Sequence, residues 1–202
     1  MFSRFTSTML AAAVLAISAP AFANFQVDLN PGGEKLFIDK ANKDADNFFG
    51  SVSANNSGPL VNIQTKGLVD TGSGYANIKP VKDGFLTELL FTPLNPNLFG
   101  DFSFRGQLER GVDTVTLIVQ DNQGNSPQIF FFTGLGGGND FSRVGIVTTD
   151  NETIKSITLV SNFKEVKQID FSVAPGVPEP ETYALMLAGL GVVGFMARGR
   201  KV

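Results

Sequence analysis

Apolar and polar residues alternate in short runs from Asn24 to about Val173, and turn residues break the alternation at intervals of roughly ten positions. In Asp101-Phe102-Ser103-Phe104-Arg105 the two phenylalanines fall on one side of an extended chain and the polar residues on the other. That period of two is the mark of a half-buried strand. The runs Leu86 to Phe91, Asp101 to Leu108, Thr114 to Val119, Gln128 to Thr133, Ser142 to Thr148, Ile154 to Ser161 and Glu165 to Val173 all predict strands. In the last two, the series Ile154, Ile157, Leu159 and Val166, Ile169, Phe171 each slip phase once, which predicts a β-bulge in each. Asp121-Asn122-Gln123-Gly124-Asn125 separates two β-branched or aromatic runs and predicts a hairpin turn. Thr149-Asp150-Asn151-Glu152 predicts a similar joint. No window shows the apolar stripe of a helix. Many short strands with Gly, Asn and Asp turns predict an all-β domain, an antiparallel β-sandwich of two sheets packed face to face. About 150 residues bury some two-thirds of their unfolded surface, enough core to need no staples. Phe25 to Leu29 is expected to close the sandwich against the last strand, whereas Asn30 to Ser57 is polar and carries no clear pattern.

The two ends of the chain follow other rules. Arg4, the apolar run Met9 to Ile17 and Ala21-Phe22-Ala23 form the three parts of a secretory signal peptide. The short apolar helix engages the Sec translocon with its positive end inside, and signal peptidase is expected to cut between Ala23 and Asn24. The chain therefore divides into a signal at 1–23, a β-sandwich domain at 24–173 and a tail at 174–202. In the tail, Val177-Pro178-Glu179-Pro180-Glu181 is held extended by its prolines. Tyr183 to Ala197 is then uncharged and mostly apolar, and Arg198, Arg200 and Lys201 follow. Fifteen residues of helix reach about 22 Å, short of the roughly 30 Å hydrocarbon core. Thr182 and snorkelling of the basic residues lengthen the span, giving a marginal single transmembrane helix with its basic stop-transfer end cytoplasmic.

Pro178-Glu179-Pro180, the apolar stretch and the final Arg198-Gly199-Arg200-Lys201 together resemble the PEP-CTERM sorting signal of Gram-negative bacteria. The resemblance covers about the last 26 residues. It implies an exosortase substrate, cut near the motif by a membrane transpeptidase, in a species that makes extracellular polysaccharide in a biofilm or floc. The expected route runs across the inner membrane to a transient anchor with the β domain periplasmic, and then to the cell surface or outside. Ile154-Lys155-Ser156-Ile157-Thr158-Leu159 and Phe163 to Phe171 resemble the closing strands of jelly-roll domains, which often bind carbohydrate. The implied function is that of an exported, non-catalytic surface or matrix protein contacting exopolysaccharide. A secreted carbohydrate-active enzyme and a self-associating structural subunit are the alternatives.

Composition narrows the chemistry. The chain has no Cys and no His, so it lacks thiolate chemistry and the commonest general base and zinc ligand. Its aromatic surface is 19 Phe, with Tyr75 and Tyr183 and no Trp. Residues 24–176 hold 12 basic and 17 acidic side chains, a net charge of −5, with no basic stripe to suggest nucleic acid. No catalytic residue stands out, although 17 acids offer many carboxylate pairs for sugar hydrolysis. No cofactor is expected; calcium is the one candidate, with oxygen donors from the loop holding Asp39, Asp44 and Asp46, and a solvated acidic loop is the better reading of that segment. Against calcium, no Glu stands at the twelfth position counted from Asn42 and no helices flank the loop. Tyr75, in a Gly-rich stretch, is the one tyrosine in the domain that could stack on a sugar, although an ordinary loop aromatic is the better reading of it. Gly134-Leu135-Gly136-Gly137-Gly138 lacks phosphate-loop spacing and is expected to be a flexible connection.

Overall fold

The computed structural model describes residues 25–52, 58–82, 84–94, 96–149, 152–175 and 185–190. The signal segment with Ala21, Ala23 and Asn24, the Pro178-Glu179-Pro180 motif, and Arg198, Arg200 and Lys201 lie outside them. The described residues form thirteen strands. These are β1 (Phe25–Val27), β2 (Glu34–Lys35), β3 (Phe37–Ile38), β4 (Ala45–Ser51), β5 (Leu60–Thr71), β6 (Gly74–Tyr75) and β7 (Asn77–Pro80). They continue with β8 (Leu86–Pro93), β9 (Asn97–Leu108), β10 (Val115–Asp121), β11 (Gln128–Phe132), β12 (Ser142–Thr148) and β13 (Ile154–Pro175).

All pairings between these strands are antiparallel, and they make a sandwich. One layer runs β11, β10, the first half of β13, β8, β5 and β4. The other runs β1, β12, β9 and the second half of β13, whose far side takes β2 and β7. Alternation buries one side of each strand: Leu117 and Val119 of β10, Phe102 and Phe104 of β9, and Val144 and Ile146 of β12 all lie in the core. The layers meet through phenylalanine rings. Phe91 of β8 packs on Phe102 of β9, strands that are not partners, with centroids 5.1 Å apart.

β13 is one strand where two were expected. It turns from one layer into the other at Phe163, whose backbone is registered with both Leu86 of β8 and Leu108 of β9. Both expected bulges are present. Ile154 and Ser156 face Asp121 and Gln120, leaving Lys155 extra. Lys167 and Asp170 face Arg105 and Ser103, with Gln168 at a φ of 49° taking up the surplus. In β5 the corner falls at Gly67, whose φ of 108° suits a residue without Cβ.

Several expectations need correction. β1 pairs with β12 instead of the last strand. The polar stretch after it contains β2, β3 and β4. At Thr149–Glu152 the Glu152 N–H does donate to the Thr149 carbonyl at 3.1 Å, but the strands it joins do not pair. That joint carries the chain from one layer to the other. The Gly134–Gly138 connection is tied down: Gly138 N–H donates to Leu108 O at 3.1 Å, and Gln107 Nε2 donates to Gly138 O at 2.8 Å. The Asp121 hairpin stands as expected. The Asp121 carboxylate accepts from the N–H groups of Gln123 and Asn125, both at 3.1 Å, while β10 and β11 pair from Val115↔Phe132 to Val119↔Gln128. In the tail, residues 185–190 are helical. No helix among the described residues is long and apolar enough to cross a membrane, and the rest of the expected span lies outside them.

Candidate functional site

The outer side of β12, β9 and the second half of β13 gathers most of the polar chemistry. Cross-strand register lines up Gly145, Ser103, Asp170 and Lys35 in one row. The first two are small, so long side chains from the flanking row can fold across them. Arg143 does so: its Nη2 reaches Asp170 Oδ2 at 2.8 Å and Ser103 Oγ at 3.3 Å. From the other side, the Tyr75 hydroxyl donates to Asp170 Oδ1 at 2.5 Å. Burial pushes the Tyr75 phenol well above its ordinary range, and the Asp170 charge adds to the effect. The tyrosine ring packs 6.0 Å from Phe37 and lies under Lys35 Nζ at 5.4 Å. Tyr75, which would have to be exposed to stack on a sugar, is half-buried with its hydroxyl committed.

The neighbouring row is Arg143, Arg105 and Lys167. Arg105 Nη1 donates to the Gln168 amide oxygen at 3.1 Å, and Lys167 Nζ sits 3.4 Å from the centre of the Phe141 ring. The bulge at Gln168 sets this row, because the extra residue returns Asp170 to the same side as Lys167.

The same face departs from simple alternation at Asp101 and Ser103, which are on the outer side yet buried. The cause is the segment after β1. The Asp28 N–H donates to Gly145 O at 3.2 Å, and a Cβ on Gly33, at a φ of 105°, would meet the Phe171 carbonyl carbon at 2.7 Å. This close cover pushes the Asp101 carboxyl above the usual carboxylate range, opposed by the Ser172 N–H that donates to it at 2.8 Å and reinforced by Asp170 and Asp28. A raised folded-state pKa means that the folded chain holds this proton more tightly than the unfolded one. Its contribution is complete below the unfolded carboxylate value and lost as pH rises through the folded one. Asp101→Asn keeps an oxygen for Ser172. It is expected to be at least as stable as the parent near neutrality, and to lose that relative advantage on acidification. Paired thermal melts between about pH 3 and 7 check this; an advantage that grows in acid would contradict it.

Asp39, Asp44 and Asp46 are all exposed. Asp44 has a φ of 50°, and its N–H donates to Asp70 Oδ1 at 3.2 Å, while Asn42 is tied to Thr71 Oγ1. Among the described residues no group of three or more acidic side chains comes together as a metal site would need. A depression of about 370 Å³ near Asp101 is lined by Gly33, Glu34, Val52, Pro59, Ser172 and Val173. Sequence reasoning missed Arg143, Asp170, Arg105 and Lys167 as a group. They come from three strands whose register only the fold sets, and nothing in their spacing along the chain marks them.

Residues 176–201 match the model of the PEP-CTERM protein-sorting motif. No curated protein matches the chain. Among solved structures the chain is similar to one described as carbohydrate binding module family29, with 10% identity over 75% of this chain and 90% of that one and a TM-score of 0.34. A variant of the module CBM29-2 complexed with mannohexaose is similar at 11% identity, over 75% of this chain and 94% of that one, with a TM-score of 0.27.

Proposed function

Because this chain carries a PEP-CTERM protein-sorting motif at residues 176–201, it is an exported protein sorted by exosortase, and we propose that it acts outside the inner membrane as a non-catalytic matrix or surface protein whose sandwich contacts exopolysaccharide. The motif is the observation that carries this reading. Under it, the Sec translocon and signal peptidase handle residues 1–23, and the apolar tail tethers the β domain on the outer side of the membrane until exosortase acts. The interior of the site supports a binding role over a catalytic one. Asp170 is held between Tyr75 and Arg143, and the depression near Asp101 has one lining carboxylate, Glu34, where glycoside hydrolysis uses a pair. The contact is proposed to need no cofactor, so chelating calcium leaves it unchanged.

Mass spectrometry of the protein from fractionated cells tests the sorting, and sedimentation with the cells' own polysaccharide tests the contact. A shortened chain that co-sediments is the expected result. An intact full-length chain in the cytoplasm would end the sorting reading, and a processed chain that stays free of the polysaccharide would end the contact.

One observation favours a second reading, a structural subunit that self-associates. Among the described residues β11 pairs only with β10, so from Ile129 to Phe132 one edge of its backbone has no strand partner there, and Ile129 and Phe131 stand exposed on it. Uncharged exposed edges of this kind promote strand addition. Light scattering that stays monomeric at high concentration would remove this reading.

A further inference from the structure

The row Arg143, Arg105, Lys167 places like charges side by side at a cost to the sheet. Direct cross-strand partners share a face, with neighbouring strands about 4.8 Å apart, and like charges placed opposite one another destabilise the pair. Here three cations are consecutive partners across β12, β9 and β13. Among the described residues, ion pairs join Arg143 to Asp170 and Lys79 to Glu165. Arg105 and Lys167 have no carboxylate partner in either pair; they rest on an uncharged amide and on a ring. Arg143 Nε is buried and has no hydrogen-bond partner. The surroundings are not generally basic, since residues 24–176 carry a net charge of −5. Positive charge is concentrated where the register places it.

We propose that this row is a binding site for an acidic polysaccharide, a sugar chain bearing carboxylates or comparable anionic groups, lying across β12, β9 and β13. Arg143 is pre-oriented by Asp170 and Ser103, and the exposed guanidinium of Arg105 and the ammonium of Lys167 take the ligand's anionic groups. Guanidinium suits a planar carboxylate, which it can grip with two parallel N–H donors. Three aligned cations make a short row for a nucleic-acid duplex, whose closely spaced phosphates call for a longer basic surface. The proposal rests on the polysaccharide contact proposed above and specifies its chemistry.

The test uses the full chain purified in detergent, with polygalacturonate, neutral dextran and a DNA duplex as probes. Polygalacturonate is expected to bind, dextran to bind far more weakly, and added salt to weaken the complex. The double substitution Arg105→Gln and Lys167→Gln is expected to weaken polygalacturonate binding about ten- to hundredfold. Its thermal midpoint should stay level or rise, because a repulsion is removed. Lys155→Gln, an exposed cation in the other layer, should change nothing. Equal binding of dextran and polygalacturonate, unaffected by the double substitution, would overturn the acidic ligand while leaving the polysaccharide reading intact. Retention of neither glycan would overturn both. Tighter binding of the duplex, lost in the double variant, would reassign the row to nucleic acid and overturn the proposal.

Discussion

Phe102→Ala is expected to cost the domain about 3–5 kcal/mol, the range for deleting a fully buried aromatic ring. The ring lies between the layers with no exposed surface, its centroid 5.1 Å from Phe91, 5.6 Å from Phe99 and 6.3 Å from Phe104. Removing it takes contacts from three other rings at once and leaves a hole that rigid strands on both sides cannot close. A domain of this kind holds roughly 5–15 kcal/mol in total, so the loss is a large share of its stability. Urea unfolding reads it directly. Phe131→Ala is the control: that ring is 69% exposed on β11, and its loss is expected to shift stability by about 0.5 kcal/mol or less. A Phe102→Ala protein that unfolds with the parent would mean that the layers are not joined through these rings.

The second large effect concerns processing. Replacing Pro178, Glu179 and Pro180 together with alanine is expected to abolish cutting at the tail and leave export intact. Proline removes a helical hydrogen bond and disfavours helix in the residue before it, so two prolines ahead of an apolar stretch are expected to limit how far a helix grows back toward them. Alanine is the best helix former, so the replacement invites the helix through the position that a processing enzyme must reach. The triple variant should collect in the membrane fraction with its tail still attached, as intact-mass measurement will show. A variant trimmed to the same mass as the parent would sever the link between the motif and the cut.

Local signals in the sequence were sufficient for elements whose residues pair nearby or alternate cleanly. The hairpin at Asp121 follows from turn chemistry within five residues, and the bulges in β13 follow from apolar positions that slip phase. Matters decided between distant segments were not legible. The break expected near Phe163 is a bend inside one strand, because β8 and β9 take up its two sides in turn. β2 and β3 are two residues each and depend on β13, β4 and β6 for their hydrogen bonds, so they have no pattern of their own. Asp101 and Ser103 alternate correctly with the phenylalanines and are buried all the same, because a segment some seventy residues earlier lies over them. The candidate site was hidden for the same reason: three cations at positions 105, 143 and 167 become neighbours through register alone.

β13 has a mechanical consequence. It is the last strand among the described residues, the sorting tail follows its end at Pro175, and it runs through both layers, paired with β9 from Pro175 inward and with a strand on each side over much of the rest. Any drag on a molecule fastened by its C-terminus therefore enters along the strand with the most neighbours. The load is shared as sideways shear over many backbone bonds before any one of them must open. A domain hung from an edge strand would unzip one bond at a time, whereas this one is built to hang by its spine.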